Sequence, residues 1–129
     1  MTNELLIEAR LPSLNEYTKA CRSHWSKGAE FKKSVESLIG WSIKRAITKG
    51  ELKAVDKPCE VYIYWHEATR RRDCDNIHSS VKFILDALQH FNIIKDDSRK
   101  YVKQIHHKVI DDTMDYVVVR LIESEEKRK

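Results

Sequence analysis

Alternation of apolar and polar side chains predicts four β-strands, at residues 4–10, 59–67, 100–110 and 115–122. The second has the clearest pattern, because Val61, Ile63 and Trp65 fall on one side of the strand. The polar turn 111–113 joins the last two strands. We therefore expect a sheet built mainly from the second half of the chain.

Apolar residues at three- and four-residue spacing predict two helices. The first runs over residues 28–48, and Gly50 is expected to end it. The second runs over residues 75–90, with Asp75 or Asn76 as the cap of its first turn.

Residues 12–25 begin with the turn formers Pro12, Ser13 and Asn15 and are expected to be irregular. The predicted order of elements is then strand, helix, strand, helix, strand, strand. That order favours an α+β fold in which one small mixed sheet carries two main helices.

The composition is that of a soluble globular protein. The 129 residues, of which 41% are hydrophobic and 34% charged, suit a single domain over residues 1–122 and a charged tail over residues 123–129. No apolar run reaches the ~20 residues that a membrane span needs. The three cysteines form no CxxC pair, so neither a zinc site nor a disulfide framework is expected. A reducing cytoplasm is the expected location.

The net charge of +4 is unevenly distributed along the chain. Residues 18–53 contain nine Lys and Arg against three Glu, whereas residues 73–97 contain five Asp against two Lys. A basic surface can hold a polyanion and an acidic patch can hold a metal, so this distribution suits an enzyme that cleaves phosphodiesters. An ordinary solvated face is the alternative explanation of the basic segment.

Asp73 and Asp75 form the first half of a candidate metal site. In an extended chain, side chains two residues apart lie on the same side. Two carboxylates about 4 Å apart repel each other by roughly 4 kcal/mol at an effective dielectric constant near 20, and a divalent cation removes that cost. Oxygen ligands favour Mg²⁺ or Mn²⁺. Asp96 and Asp97 are the candidates for a third carboxylate. The alternative is structural: Asp73 and Asp75 alone are as typical of a helix cap and a turn as of a metal site, and Asp96 and Asp97 alone are typical of an ordinary turn.

Helical spacing adds a lysine to these acids. Asp75, Ser79, Lys82 and Asp86 share one face of the predicted helix, and a long lysine side chain leans toward the helix start. A metal-activated water, with a lysine to support the phosphate charge, would suit phosphodiester hydrolysis. The alternative is that Lys82 and Asp86 form a simple surface pair worth a few tenths of a kcal/mol.

Three motifs together resemble the RusA family of Holliday-junction resolvases. They are RRDCDN at residues 71–76, KFILDAL at residues 82–88 and IIKDDS at residues 93–98. The segment LPSLNEY at residues 11–17 is similar to the Pro-Ser-Asn stretch near the start of that family. The resemblance therefore covers nearly the whole chain.

The resemblance implies a cytoplasmic endonuclease of the phage or prophage type. Such an enzyme binds four-way DNA junctions as a homodimer and nicks two strands symmetrically in recombination and repair. It uses Mg²⁺, with Mn²⁺ as a substitute, and needs neither a nucleotide cofactor nor a membrane. The alternatives are a catalytically inactive DNA-binding module of the same fold and a nuclease for flaps or other branched DNA.

The resemblance also implies site residues. The catalytic and metal-binding acids map onto Asp73, Asp75 and Asp97, and the catalytic lysine maps onto Lys82. Between Asp75 and Asp86 the chain has about three more residues than the family pattern. Alignment from Asp75 would therefore select Ser79 as the lysine position, whereas alignment from Asp86 selects Lys82 and Asp97.

Two further groups of residues are expected to support this site. Arg70, Arg71 and Arg72 precede the acids and are expected to contact DNA phosphates. Asn76, Asp86 and Asp96 are the candidates for assisting roles.

Overall fold

A computed structural model describes residues 3–70 and 72–124, apart from the side chains of Leu14 and Trp25, and contains one four-stranded sheet and four helices. The elements are β1 (Asn3–Ile7), α1 (Leu14–Ser23), α2 (Trp25–Thr48), β2 (Cys59–Glu67), α3 (Cys74–His78), α4 (Val81–His90), β3 (Val102–Asp111) and β4 (Tyr116–Glu123). The α+β class and the single mixed sheet are thus confirmed. Of the predicted tail, residues 125–129 lie outside the described residues. No helix in the described ranges is both long and apolar enough to span a bilayer.

The sheet has the strand order β1-β4-β2-β3. β4 pairs antiparallel with both β1 and β2, whereas β3 is an edge strand parallel to β2. Parallel neighbours need a crossover connection, and α3 and α4 provide it. The turn after β3 then crosses the end of β2, where the Asp112 amide donates to the Glu67 carbonyl and the Ala68 amide donates to Asp115 Oδ1.

The prediction that residues 12–25 are irregular was wrong, because α1 begins at Leu14. Ser13 caps this helix and its hydroxyl accepts from the Glu16 amide, while the Glu16 carboxylate accepts from the Ser13 amide. This is a capping box, which satisfies two amides that the first turn leaves free. Pro12 and Ser13 therefore mark the start of a helix rather than a loop.

The helix predicted over residues 75–90 is divided into α3 and α4, so the order of elements is β-α-α-β-α-α-β-β. The break lies at Ser79 and Ser80. The Ser79 hydroxyl donates to the Asn76 carbonyl, and the Ser80 hydroxyl donates to the Pro12 carbonyl. The local Ser79 bond competes with the continuous helix, and the Ser80 bond anchors the break to the segment before α1.

The core lies between one face of the sheet and the helices α2 and α4. The alternation of β2 buries Val61, Ile63 and Trp65, which pack with buried aliphatic side chains of both helices, among them Ile39, Ile43, Ile84 and Leu88. The opposite face of the sheet carries no helix in the described part of the chain, and Leu6 is 38% exposed there. The molecule therefore has two layers.

Candidate active site

A buried ion pair sets the path of the chain from β2 toward the acidic motif. Glu67 is the last residue of β2 and continues the buried phase of Trp65, so its side chain is only 3% exposed. Arg72 binds it with two nitrogens, Nη2 to Oε2 at 2.7 Å and Nε to Oε1 at 3.2 Å. A buried carboxylate without such a partner would be strongly destabilising. The pair thus fixes the loop immediately before Asp73.

The segment of residues 11–16, called the N-terminal brace below, holds both ends of α3. Arg72 Nη1 donates to the Leu11 carbonyl at 2.9 Å. Asn15 Nδ2 donates to Asn76 Oδ1 at 2.8 Å, and the Ser80 hydroxyl donates to the Pro12 carbonyl. The motif at residues 71–76 and the stretch at residues 11–17 are therefore in direct contact, although about 60 residues separate them in the chain.

Asp73 and Asp75 lie at the beginning of α3 with exposed side chains. Asp73 is the N-cap residue, in place of the predicted Asp75 or Asn76, and its carboxylate makes no capping hydrogen bond. The chain becomes helical at Cys74, so the argument that the two carboxylates share one side of an extended strand was wrong. Both acids nevertheless present carboxylate oxygens to solvent one turn or less from a helix start, where negative charge is favoured.

Lys82, in the first turn of α4, joins two of the predicted acids. Its Nζ lies 3.2 Å from Asp86 Oδ1 and 3.6 Å from Asp97 Oδ2. The hydrogen bond to Asp86, with the negative charges of Asp86 and Asp97, raises the pKa of Lys82 above its ordinary value. The lysine is therefore cationic at neutral pH and connects α4 to the turn before β3.

Asp96 and Asp97 have different environments. Asp96 Oδ1 accepts from the Ser98 amide at 2.8 Å, and hydrogen bonds from Ser98 lower the pKa of Asp96. Asp96 therefore stabilises the turn, while Asp97 faces Lys82.

The donor set of this region partly fits a divalent metal. Asp73 and Asp75 offer oxygen ligands of the kind that Mg²⁺ prefers. Within residues 3–70 and 72–124, no three His, Cys, Asp or Glu side chains are grouped so that they could hold a metal ion. Because β3 is parallel to β2, the turn that carries Asp97 enters the sheet near Cys59, whereas Asp73 follows the other end of β2. Asp97 as the third ligand stays a prediction.

The three predicted DNA-binding arginines have different positions. Arg70 is 84% exposed, and its Nε lies 3.2 Å from Asp111 Oδ2. In this surface pair a DNA phosphate could replace Asp111 as the partner of Arg70. Arg71 lies outside the described residues. Arg72 is 13% exposed and is engaged with Glu67 and Leu11. DNA contact by these arginines stays a prediction.

A stack of aromatic rings connects α3 to the sheet. Trp65 Nε1 donates to His107 Nδ1 at 3.0 Å, and the His78 ring stacks on the His107 ring at 4.1 Å. Burial, together with the neighbouring His78 and His106, lowers the pKa of His107 to about 4. Burial also lowers the pKa of His78, although the charge of Asp75 opposes that shift. Both rings are therefore neutral near pH 7, and their stack supports the helix that carries Asp75.

Glu67, Asn15 and His107 were not identified from the sequence. The strand phase contained a signal for two of them, because Glu67 follows Trp65 by two residues and His107 lies between Ile105 and Val109 at the same spacing. A charged or polar residue in the buried phase of a strand needs a partner, and the partner's position in the sequence is not restricted.

Comparison with known protein families gives a match over most of the chain. The family model described as Endodeoxyribonuclease RusA matches residues 5–122. The matched span includes the N-terminal brace, the acids at the start of α3 and the turn that carries Asp97. No curated protein matches the chain significantly.

We predict that Arg72→Gln lowers the free energy of unfolding by about 3–5 kcal/mol, because it leaves the buried Glu67 carboxylate without a cation. Arg70→Gln is the matched control and should change that free energy by less than about 1 kcal/mol, since its ion pair is exposed. Urea unfolding followed by circular dichroism measures both. Equal effects of the two variants would contradict a structural role for the buried pair.

Acidification should lower the stability of the folded protein, because His107 is partly buried. Its pKa is about 4 in the folded protein and near 6.5 when unfolded, so the unfolded chain binds the proton more readily and stability falls as the pH decreases from 6.5 to 4. Because the ring is partly exposed, we expect roughly 1–2 kcal/mol less acid destabilisation in His107→Gln than in the wild type. Urea unfolding at pH 7.5 and pH 4.5 measures the difference. The exposed His90→Gln variant should behave like the wild type, and the same behaviour in His107→Gln would refute the assignment.

Proposed function

The chain belongs to the RusA family of endodeoxyribonucleases, and from that premise we propose that it is a Mg²⁺-dependent enzyme that resolves four-way DNA junctions by symmetric paired nicks. The observation that carries this proposal is the placement of Lys82 between Asp86 and Asp97, one helix after the exposed carboxylates of Asp73 and Asp75. The proposed biological role of the enzyme is in DNA recombination and repair.

In this proposal Asp73 and Asp75 hold the metal through their exposed oxygens, and Asp97 completes the set from the turn that Lys82 connects to the first turn of α4. Bound Mg²⁺ supplies an activated water and neutralises charge on the phosphate oxygens. Mn²⁺ would substitute for it, because it accepts the same oxygen ligands.

Lys82 acts on the phosphate as a fixed positive charge. Asp86 holds its ammonium group at 3.2 Å, which orients the side chain before DNA binds. A preorganised cation of this kind stabilises the charge that develops in the transition state. Asn76 assists by anchoring α3 to Asn15 in the N-terminal brace, and Asp96 assists by holding the turn beside Asp97.

Substrate recognition in this proposal depends on DNA structure rather than on sequence. The exposed Arg70 and the basic residues of α2 offer contacts to phosphates. Phosphate contacts position a protein on DNA and carry no direct sequence information.

We also propose that the enzyme acts as a homodimer. A four-way junction is close to two-fold symmetric, so a two-fold dimer would place one site at each of two opposed strands. The open face of the sheet supports this proposal, because Leu6, Tyr64 and Val118 lie side by side on it in adjacent strands. A second copy of the chain would remove this apolar strip from water.

The central test is cleavage of a synthetic four-way junction by Asp75→Asn. The variant keeps the shape of the side chain but loses its charge, so we expect cleavage in Mg²⁺ to fall at least about 100-fold while junction binding is retained. Asp56→Asn changes an exposed aspartate in the loop before β2 and is the matched control, expected to cut at the wild-type rate. Cleavage by Asp75→Asn at the wild-type rate would refute the site assignment.

A panel of four-way junction, fork, flap and linear duplex, each with and without Mg²⁺, decides the substrate. Preferred cutting of the four-way junction supports the proposal. Preferred cutting of the flap would instead assign the enzyme to other branched DNA, and binding without cutting would make the chain an inactive DNA-binding module.

Sedimentation equilibrium tests the homodimer. The wild type is expected to have twice the chain mass of 15.2 kDa, and Leu6→Asp is expected to shift it toward the monomer. Met114→Asp, a similarly drastic change in the exposed turn between β3 and β4, should leave the mass unchanged. A monomeric wild type at tens of micromolar would refute the proposed assembly.

A further inference from the structure

A groove of about 420 Å³ lies between α2 and α4, next to the Lys82–Asp86 pair. Lys33, Trp41 and Lys44 line it from α2, and Asp86 and Phe91 line it from the side of α4. Its volume falls within the range of roughly 300–1,000 Å³ that is typical of small-molecule sites. No residue previously assigned to the candidate active site lines it except Asp86.

Trp41 is the most unusual residue of this groove, because its side chain is 65% exposed. The guanidinium carbon of Arg45 lies 5.5 Å from the centre of the indole ring. Arg45 is itself held by an ion pair with Glu8. The indole is thus supported by a fixed cation while much of its surface stays open to the groove and to solvent.

The wall formed by Phe91 depends on a glycine. A Cβ atom at Gly40 would lie 2.9 Å from the Phe91 ring, so the absence of a side chain lets this ring pack against the α2 backbone. Lys44 Nζ lies 5.7 Å from the centre of the same ring. Trp41 with Arg45, and Phe91 with Lys44, therefore form a packed surface in this groove.

The charges of the groove favour an anionic occupant. Residues 25–48, which form α2, contain five Lys and Arg against two Glu. Asp86 is neutralised by Lys82, which leaves Glu36 to oppose Lys33 and Lys44 within the lining. Positive charge combined with an exposed aromatic platform is typical of surfaces that bind single-stranded nucleic acid.

We propose that this groove binds an unpaired nucleotide of the DNA substrate, with the base stacked on Trp41 and the adjacent phosphates on Lys33 and Lys44. The proposal rests on the proposed function, namely that the chain acts on DNA. Because Asp86 lines the groove and also binds Lys82, the nucleotide would lie beside the candidate active site. Among four-way junctions, those that expose an unpaired base close to the cut would then be favoured over fully paired ones.

Fluorescence anisotropy with a short labelled thymidine oligonucleotide and with a fork carrying one unpaired base tests this proposal. Trp41→Ala should weaken binding about 5- to 150-fold, which is the loss expected when one base loses its aromatic partner. Trp41→Tyr keeps an aromatic ring and should weaken binding less than about threefold. Met114→Ala removes a similarly exposed apolar side chain outside the groove and should bind like the wild type.

Removing the base itself gives the decisive comparison. When the unpaired base of the fork is replaced by an abasic site, the wild type should lose affinity. Trp41→Ala should bind the intact fork and the abasic fork equally, because the substitution and the abasic site remove the same contact. Equal binding by Trp41→Ala and the wild type would overturn the proposal. A change in the sedimenting mass of Trp41→Ala would also overturn it, by identifying the groove as an interface between proteins.

This test is independent of catalysis. All binding is measured in the Asp75→Asn background without added metal, so it gives an answer even if no branched DNA is cleaved. Lack of cleavage with intact Trp41-dependent binding would refute the proposed function alone. Cleavage of junctions without any Trp41 dependence would refute only the nucleotide site.

Discussion

The burial of the Glu67 carboxylate at the end of β2 constrains everything around it. A charge in that position must have a partner, and Arg72 provides one with a two-nitrogen contact. The same guanidinium reaches the Leu11 carbonyl, so the pair ties the sheet, the loop before the acids and the N-terminal brace together. The start of α3, which carries Asp73 and Asp75, is consequently fixed by the contacts of Arg72 with Glu67 and Leu11. Neither acid takes part in these contacts.

The parallel pairing of β2 and β3 is the second constraint. It requires the crossover through α3 and α4, and it makes the turn with Asp97 lead into β3 beside Cys59, where β2 begins. Lys82 joins that turn to α4, and Asp86 continues from Lys82 into the groove beside Trp41. Lys82, Asp86 and the basic groove thus adjoin one another in the helical layer, while the other face of the sheet stays open.

The regular elements were largely predictable where one pattern dominated. The strand at residues 59–67 and the end of α2 before Gly50 agree with the alternation and the glycine signal. The prediction failed where serine side chains decided the backbone. Ser13 starts α1 through a capping box, and Ser80 helps to end the helical run after α3, and both bond to backbone groups that periodicity does not consider.

The sequence by itself determined the fold class and the family, because apolar periodicity and short motifs are local properties of the chain. It also singled out Lys82 with Asp86, since helical spacing alone brings side chains four residues apart into contact. Only the tertiary structure decided which distant residues meet: Glu67 with Arg72, and Gly40 of α2 with Phe91. Those contacts depend on strand order and helix packing, which set distances that no local pattern encodes.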